Sequence, residues 1–493
     1  MNSRICALLL AVAHGASACA TAPAKPTVVS RPSLSAADVD ARLSEADAMA
    51  ARGCYLCLRE ASGAYFNLIA VTDSPVVARR ALENELMMAM REVELRLPDS
   101  GARERAKGLV RRLQDEVRLP STALGSGKTE SAYDLYFGML EAPTGAGMTV
   151  ALLRQREEER KALAEQLAVI WPSSALAAYA YIPLAATIGR GDGFKQQAAA
   201  IREAYPRNLA VRYRLQTNPS NYDDKDALAM LDEEPRFAEL RYLRGQRALA
   251  RTDLVTAHRE YSRAFDTLPG SLSIAVSFGS LELTFGRNTQ ALAIFDGILA
   301  REPDHDAQLG RTMALSSLKR HAEAIAYLDE LLKDPSWRPG DKYYWRAWNY
   351  LQLGQPQNAY DDANAALKAM VNSNLYQLAG IASYQVTRVP EARADFENSV
   401  QMNAGNCDSI RYLGIIDGAE RKWPVAVARF TAAASCYARA IAALEEELAK
   451  KQADTSGLYA IQIAGIVADI AQAKALRETS THNAEVAAKN AGQ

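Results

Sequence analysis

The most reactive side chains in this sequence are the four cysteines beyond the first 35 residues: Cys54, Cys57, Cys407 and Cys436. Cys54 and Cys57 form a Cys-Tyr-Leu-Cys motif, whose spacing suits a short structural disulfide, two free thiols, a metal site or a redox-active dithiol. A thioredoxin-like redox pair would stand near a βαβ pattern, whereas the pattern around this motif is helical. We therefore expect a disulfide between Cys54 and Cys57, with the other three states as alternatives.

No other residues have the spacing of a catalytic site. The histidines beyond the first 20 residues are isolated from one another and are expected on helix surfaces: His258, His305, His321 and His482. The stretch Gly-Ser-Gly-Lys-Thr at 125–129 is similar to a phosphate-binding loop, but Thr122 replaces the required glycine and the preceding segment has a helical pattern. We therefore expect no enzyme activity, no cofactor, no bound nucleotide and, the Cys54–Cys57 alternative aside, no metal site.

Composition and length limit the class of protein. Of 493 residues, 49% are hydrophobic and 23% are charged, which is an ordinary globular composition. The formal net charge is -1, whereas a protein that binds nucleic acid should carry a basic excess. No apolar run beyond residue 20 has the length of a membrane span. The length exceeds that of one ordinary core, so several domains or a repeat array are expected.

Residues 1–18 have the pattern of a secretory signal peptide. Arg4 gives the charged start, residues 6–13 form a short apolar core, and Ala-Ser-Ala at 16–18 is a small-residue cleavage site. Residues 19–35, which are rich in Pro, Ser, Thr and Ala, are predicted to be a flexible tether. The sequence therefore predicts an exported protein.

Cys19 directly follows this cleavage site. The sequence Ala-Ser-Ala-Cys resembles a bacterial lipobox, in which the cysteine is lipid-modified and becomes the new N-terminus. Ordinary cleavage after Ala20 is the alternative. The resemblance implies an outer-membrane lipoprotein that faces the periplasm, and the alternative implies a soluble periplasmic protein.

One alanine recurs six times in the second half of the chain. It stands at Ala257, Ala291, Ala324, Ala359, Ala392 and Ala426, at intervals of 34, 33, 35, 33 and 34 residues. A fixed period near 34 residues is typical of a stacked array of helix-turn-helix hairpins. The six copies occupy residues 238–438.

The residues around these alanines carry a family resemblance. The copies are Gly245, Ala257, Tyr261, Ala264 and Pro269; Gly279, Ala291, Phe295 and Pro303; Tyr376, Gly380, Ala392 and Phe396; and Gly414, Ala426, Phe430 and Ala433. This pattern resembles the tetratricopeptide repeat. Two copies depart from it, because Leu328 and Ala363 replace the aromatic residue. The resemblance implies an all-α fold, a right-handed superhelical α-solenoid.

The remaining segments are predicted around this array. Residues 36–118 are expected to be helical, with a degenerate repeat at Ala61, Tyr65 and Leu68, and residues 119–131 to be a linker. Degenerate helical hairpins are expected over 132–237, a C-terminal helical cap over 439–478, and a polar, disordered tail over 479–493.

The resemblance also implies a concave groove lined by the first helix of each hairpin. Its second, fifth, ninth and twelfth positions give candidate partner-binding residues: Tyr242, Gln246, Tyr344, Trp348, Tyr384 and Arg411. The same register adds Val276, Ser280, Leu351, Gln377 and the neighbouring Gln385. The aromatic residues are the favoured anchors, because aromatic side chains dominate interface energetics. Packing between helices is the alternative for each of them.

The repeat register also predicts a second disulfide. Cys407 falls at the start of the first helix of its hairpin and Cys436 near the end of the second. Because the two helices are antiparallel, these positions lie side by side, within reach of a disulfide. Two unpaired buried thiols are the alternative.

The sequence therefore predicts a non-enzymatic scaffold in the cell envelope that binds a protein or peptide partner of unknown identity. The alternative is a structural subunit of an envelope assembly or secretion complex. An enzyme is the third class considered, and no motif supports it.

Overall fold

The computed structural model describes residues 34–113, 175–188, 192–334 and 336–492. The predicted signal peptide, Cys19, the 119–131 linker and the Gly-Ser-Gly-Lys-Thr stretch lie outside these residues. The described part of the chain is 80% helical, with 21 helices and no strand. It forms an all-α solenoid, as the repeat pattern predicts.

Four helices form the N-terminal region: α1 (Ala36–Ala51), α2 (Tyr55–Ile69), α3 (Pro75–Leu95) and α4 (Ala102–Arg112). The Ser35 side chain caps α1 by accepting a hydrogen bond from the Asp38 N–H. Proline begins α3, where its missing N–H costs nothing. Ala61, Tyr65 and Leu68 are all buried on one face of α2.

In the described part of the chain, four further helices lie between this region and the repeats: α5 (Ala175–Ile188), α6 (Asp192–Ala204), α7 (Leu209–Gln216) and α8 (Asp224–Glu233). Short helices α7 and α8 join α1–α4 and the first repeat in one continuous hydrophobic core. The segment before the repeats is therefore packed against the N-terminal region rather than separate from it.

Each predicted repeat corresponds to one helical hairpin. The helices are α9 (Ala238–Ala250), α10 (Leu254–Thr267), α11 (Leu272–Thr284), α12 (Asn288–Leu299), α13 (His305–Ser317), α14 (His321–Leu331), α15 (Pro339–Gln352), α16 (Pro356–Leu367), α17 (Ser373–Gln385), α18 (Val389–Met402), α19 (Cys407–Ala419) and α20 (Trp423–Gln452). Odd-numbered members of this set are the first helices of the hairpins. All six marker alanines are fully buried.

The contact between an aromatic ring of a second helix and a glycine of a first helix sets the spacing of the hairpins. Phe295 of α12 is buried between Gly279 of α11 and Gly310 of α13, so one ring contacts the first helices of two successive hairpins. A Cβ atom at Gly279 would lie 2.9 Å from the ring, and one at Gly310 would lie closer still. Gly380 and Phe396 repeat the contact. Only glycine allows this approach.

The turns inside the hairpins share one backbone conformation. Each contains a residue with positive φ: Thr252 (61°), Gly286 (74°), Lys319 (60°), Gly354 (68°), Thr387 (63°) and Arg421 (62°). The left-handed conformation favours glycine, yet four of the six turns use a residue with a Cβ atom. The hairpin geometry therefore determines the conformation even where the residue type opposes it.

The C-terminus differs from the predicted disordered tail. Helix α21 runs over Ala460–Ala491 and continues through residues 479–491, with Ser480 and Ala487 buried. Ala484 and Ala487 pack against Phe430 and its neighbours on α20. The tail prediction was wrong because the buried face consists of small residues, which give little hydrophobic pattern.

The loop between α20 and α21 reaches back to the beginning of the array. The Tyr459 ring lies 5.3 Å from the ring of Phe285, which ends α11. The Gln462 side chain donates a hydrogen bond to the Thr284 carbonyl oxygen, and Ile461 lies against Gly286. Helix α21 and the loop before it therefore contact both the last repeat and the second.

The end of α3 docks on the opposite ends of the hairpins. The Ser271 hydroxyl donates to the Leu95 carbonyl oxygen at 2.7 Å, and the Leu272 N–H donates to the Arg96 carbonyl oxygen at 3.2 Å. The Arg96 guanidinium pairs with the buried Asp304 carboxylate at 2.6 Å. These contacts fix the N-terminal region to the second and third repeats.

Cys407 and Cys436 are joined by a disulfide in the structure. Cys407 begins α19 and Cys436 lies in α20, with 5.5 Å between the Cα atoms. Both cysteines are nearly inaccessible to solvent. The bond links the two helices of the last repeat at the point where α20 continues beyond the array.

We predict opposite effects from two glycine-to-alanine changes. Gly310→Ala should lower the free energy of unfolding by about 1–3 kcal/mol, because its Cβ atom would collide with the buried Phe295 ring. Gly297→Ala is the matched control: nothing lies within 4 Å of its Cβ position in α12, and alanine should raise the free energy of unfolding by about 1 kcal/mol. Urea unfolding followed by circular dichroism measures both, and changes of the same sign would contradict the packing described.

We predict that the disulfide of the last repeat stabilises the fold. Replacing Cys407 and Cys436 by serine opens a loop with a sequence separation of 29. The free energy of unfolding should fall by about 3 kcal/mol, less any strain released. Mass spectrometry of a non-reduced digest should yield the Cys407–Cys436 linked peptide. Alkylation of both thiols in protein isolated from an oxidising compartment would contradict the pairing.

Candidate functional site

An aromatic cluster lies on α15, the first helix of the fourth repeat. We define it as Tyr344, Trp345 and Trp348 of α15 with His321 of α14. The Trp348 ring lies 5.4 Å from the His321 ring and 6.0 Å from Trp345, and Tyr344 meets Trp345 edge to face at 5.6 Å. All four side chains are half-buried, so each ring has a packed side and a solvent side.

A buried amide holds this aromatic cluster in place. Asn349 is fully buried beneath it, and its Oδ1 accepts a hydrogen bond from His321 Nδ1 at 2.8 Å. Its Nδ2 donates to Ser316 Oγ at 2.9 Å and to the Trp345 carbonyl oxygen at 2.7 Å. Because every polar atom of the amide has a partner, the network fixes the rings without leaving an unsatisfied group. A rigid aromatic surface loses little side-chain entropy when a partner binds.

The other predicted groove residues fall into two places. Tyr242 on α9 is half-buried against Tyr261 at 5.5 Å, and its hydroxyl lies 3.1 Å from Ser277 Oγ of α11. Gln246, one turn later, is exposed. Tyr242 therefore links the first two hairpins and presents only part of its ring to solvent.

Tyr384 and Arg411 meet at a shared neighbour on α19. Tyr384 contacts the Tyr412 ring at 5.4 Å, and the Arg411 guanidinium lies 4.6 Å from the same ring. Arg411 also pairs with Asp408 at 3.4 Å. The structure thus brings together Tyr344 with Trp348, and Tyr384 with Arg411, as two separate sites.

Among the additional groove positions, Ser280 and Gln385 are exposed, and Val276, Leu351 and Gln377 are half-buried.

Sequence reasoning missed a polar cleft between the fifth and sixth repeats and α21. Its polar lining includes Gln377, Asp408, Tyr437, Asp469 and Gln472. The Tyr437 hydroxyl donates to Asp408 Oδ1 at 2.6 Å, and burial raises the pKa of Tyr437. Asp408 stands at the second position of its helix, so the groove register could have found it. Asp469 and Gln472 have no such signal, because α21 lies outside the repeat.

Cys54 and Cys57 lie at the start of α2 and are joined by a disulfide. Cys54 caps the helix, since its sulfur accepts a hydrogen bond from the Cys57 N–H at 3.0 Å. The Glu234 carboxylate lies 3.4 Å from the Cys57 sulfur. Within the described residues, these three side chains are the only group of three or more that could hold a metal ion.

Two of the four histidines are less exposed than expected. His258 is half-buried and pairs with the buried Glu282, and His321 belongs to the aromatic cluster. His305 stacks on Trp337 at 4.3 Å. His305 and His482 are exposed, as the sequence predicts for all four, whereas His258 and His321 are half-buried. Their surroundings stabilise the hairpins rather than assemble a proton-transfer site.

Comparison with known proteins finds matches among solved structures only. No family model matches the chain, and no curated protein matches it. Among solved structures it is similar to TTC0263, a thermophilic TPR protein of Thermus thermophilus, with 16% identity over 36% of this chain and 98% of that one and a TM-score of 0.31.

Two further solved structures are similar at the same level. A tetratricopeptide repeat protein from Parabacteroides merdae has 16% identity over 53% of this chain and 94% of its own, with a TM-score of 0.33. PilW, a type IV pilus biogenesis factor, has 16% identity over 43% and 95%, with a TM-score of 0.33. TM-scores this low give no evidence about the family or the function of this chain, so the repeat is described from its own hairpins.

The hairpins form an all-α solenoid whose residue pattern resembles the tetratricopeptide repeat. Six hairpins recur with a period near 34 residues, and rings such as Phe295 and Phe396 pack on glycines of the first helices. None of the described helices combines the length and the apolar character needed to cross a membrane.

Proposed function

We propose that this protein is a non-enzymatic scaffold that binds a protein or peptide partner along the first helices of its repeats. The aromatic cluster of the fourth repeat carries the proposal. Its rings are held by the buried Asn349 network while one side of each remains open to solvent. Half-buried aromatic side chains in a fixed position are typical anchors of protein interfaces.

The fifth and sixth repeats supply a complementary polar contact. Arg411 lies against Tyr412 beside Tyr384, on the first helices of the sixth and fifth repeats. A partner that extends from the aromatic cluster along successive first helices would meet apolar anchors and then this arginine. Such a partner would carry apolar side chains followed by an acidic or carbonyl acceptor.

We predict that the aromatic cluster provides most of the binding energy. Peptides selected from a phage-displayed random library on the wild-type chain should bind the Tyr344→Ala/Trp348→Ala variant about 30-fold more weakly, as expected for loss of a hot spot worth about 2 kcal/mol. The affinity can be followed through the fluorescence polarisation of a dye-labelled peptide.

Tyr360→Ala is the matched control for this change. Tyr360 is also half-buried against the core of the fourth repeat, but it lies on α16, the second helix. Its removal should leave peptide affinity within about twofold while lowering the melting temperature. Equal loss of affinity in both variants would show that the fold, rather than the aromatic cluster, supports binding, and unchanged affinity in the double variant would refute the site.

The scaffold is proposed to be exported and anchored in the outer membrane through a lipid on Cys19, facing the periplasm. The signal pattern over residues 1–18 and the cysteine that follows it support this proposal. Neither Ala20 nor Thr21 is an aspartate, the residue that would direct retention in the inner membrane. Stable anchoring requires at least two acyl chains, since one gives only marginal binding. A soluble periplasmic form is the other outcome.

We predict that the wild-type chain fractionates with membranes and that Cys19→Ala moves it to the soluble fraction or stops its processing. Cys6→Ala is the matched control, because Cys6 lies in the apolar part of the leader and should be replaceable without effect. Membrane flotation followed by immunoblotting distinguishes the variants. A wild-type chain found in the soluble periplasmic fraction would contradict the anchor and leave the scaffold function intact.

A further inference from the structure

Three buried side chains from distant parts of the chain converge beside the start of α2. Cys54 and Cys57 flank its first turn, and Glu234 directly follows α8, 177 residues after Cys57. The two cysteines are fully buried, and Glu234 is 3% exposed. One ligand atom from each lies within 4.8 Å of the others, which is the spacing of donors around a single metal ion.

The surrounding groups orient these three side chains. Glu234 Oε1 accepts hydrogen bonds from the Arg236 backbone N–H at 3.0 Å and from its Nε at 3.2 Å, which directs Oε2 toward the sulfur atoms. The Cys57 N–H donates to the Cys54 sulfur at 3.0 Å. Hydrogen bonds of this kind position metal ligands and increase their affinity, and a helix N-terminus favours the thiolate form of a cysteine.

Charge also favours a bound cation when the cysteines are reduced. Two thiolates and one carboxylate carry three negative charges in a buried site, and a divalent ion would leave one. Arg52, whose Nη1 lies 3.6 Å from Glu234 Oε2, and Arg236 stand beside the carboxylate and can balance that charge. Without a metal ion, the reduced cysteines would have to remain neutral thiols beside a buried carboxylate.

We propose that Cys54, Cys57 and Glu234 bind one divalent ion of the zinc class in the reduced chain and that oxidation converts the same site into the disulfide. When the metal binds, the two thiols release their protons to solvent and two metal–sulfur bonds and one metal–oxygen bond form. When the site oxidises, molecular oxygen accepts the two electrons of the thiolates and takes up two protons from solvent to give hydrogen peroxide, the metal ion leaves, and the sulfur–sulfur bond forms.

The arrangement favours this over a catalytic dithiol. Attack on a protein disulfide requires an accessible sulfur, and both cysteines are fully buried. Zinc in a protein usually has four ligands, so the three side chains leave one position for water or a small ligand. Only the metal-bound state bridges the start of α2 and Glu234, in the segment between α8 and α9, because the disulfide joins two residues of the same turn.

The test uses the full chain, kept reduced by a phosphine from lysis onward and titrated with Co²⁺. Cobalt substitutes for zinc and absorbs through thiolate-to-metal charge transfer. We expect one equivalent to bind with that absorbance, and Cys407→Ser/Cys436→Ser to retain it. The Cys54→Ser/Cys57→Ser variant and the air-oxidised wild type should lack it.

Two glutamates provide the decisive comparison. Glu234→Gln should weaken Co²⁺ binding by at least about 10-fold, because it removes the charged oxygen ligand. Glu233→Gln should leave affinity unchanged, since Glu233 is exposed and pairs with Arg212. Circular dichroism establishes that each variant folds, and if the double serine variant does not, the glutamate pair still decides. Absence of thiolate absorbance in the reduced wild type, or equal affinities of the two glutamine variants, would overturn the proposal.

Discussion

The solenoid depends on the contact between a side chain of each second helix and the small residues of the first helices. Phe295 is the clearest example of this contact. It packs between Gly279 and Gly310, so one ring sets the distance to both neighbouring helices. The fourth repeat has Ala363 in the equivalent place, and its missing volume is supplied by aromatic residues of α15 and by Tyr360 that pack on the same core. The small residue in this repeat and the aromatic side chains of α15 therefore belong to the same packing arrangement.

Much of the fold could be predicted from the sequence because a repeat array is held together by contacts that recur at a fixed interval. The buried alanines, the glycine contacts and the turns at Gly286 and Gly354 all follow from that interval. The positive φ angles of Lys319 and Arg421 could not be predicted from residue type, since both types oppose that conformation. The last part of helix α21 could not be predicted, because the alanine and serine residues on its buried face give the sequence the composition of a polar tail.

The candidate sites likewise contain residues that could be predicted from the sequence and residues that could not. The repeat register placed Tyr344 and Trp348 on one helix face, but it held no information on Asn349, whose amide links three helices through His321 and Ser316. The convergence of Glu234 on the two cysteines joins residues far apart in the chain, outside any periodic pattern. Contacts of this kind arise from tertiary packing, so a local pattern gives no signal for them.

The return of the α20–α21 loop to Phe285 has a consequence for the cooperativity of folding. In an ordinary linear stack each repeat touches only its neighbours, so stability is a sum of adjacent terms and the ends unravel first. Here Tyr459 and Gln462 add a contact between the last element and the second repeat. Unravelling from the C-terminus therefore removes contacts at both ends of the array, which couples the repeats between them into a larger folding unit.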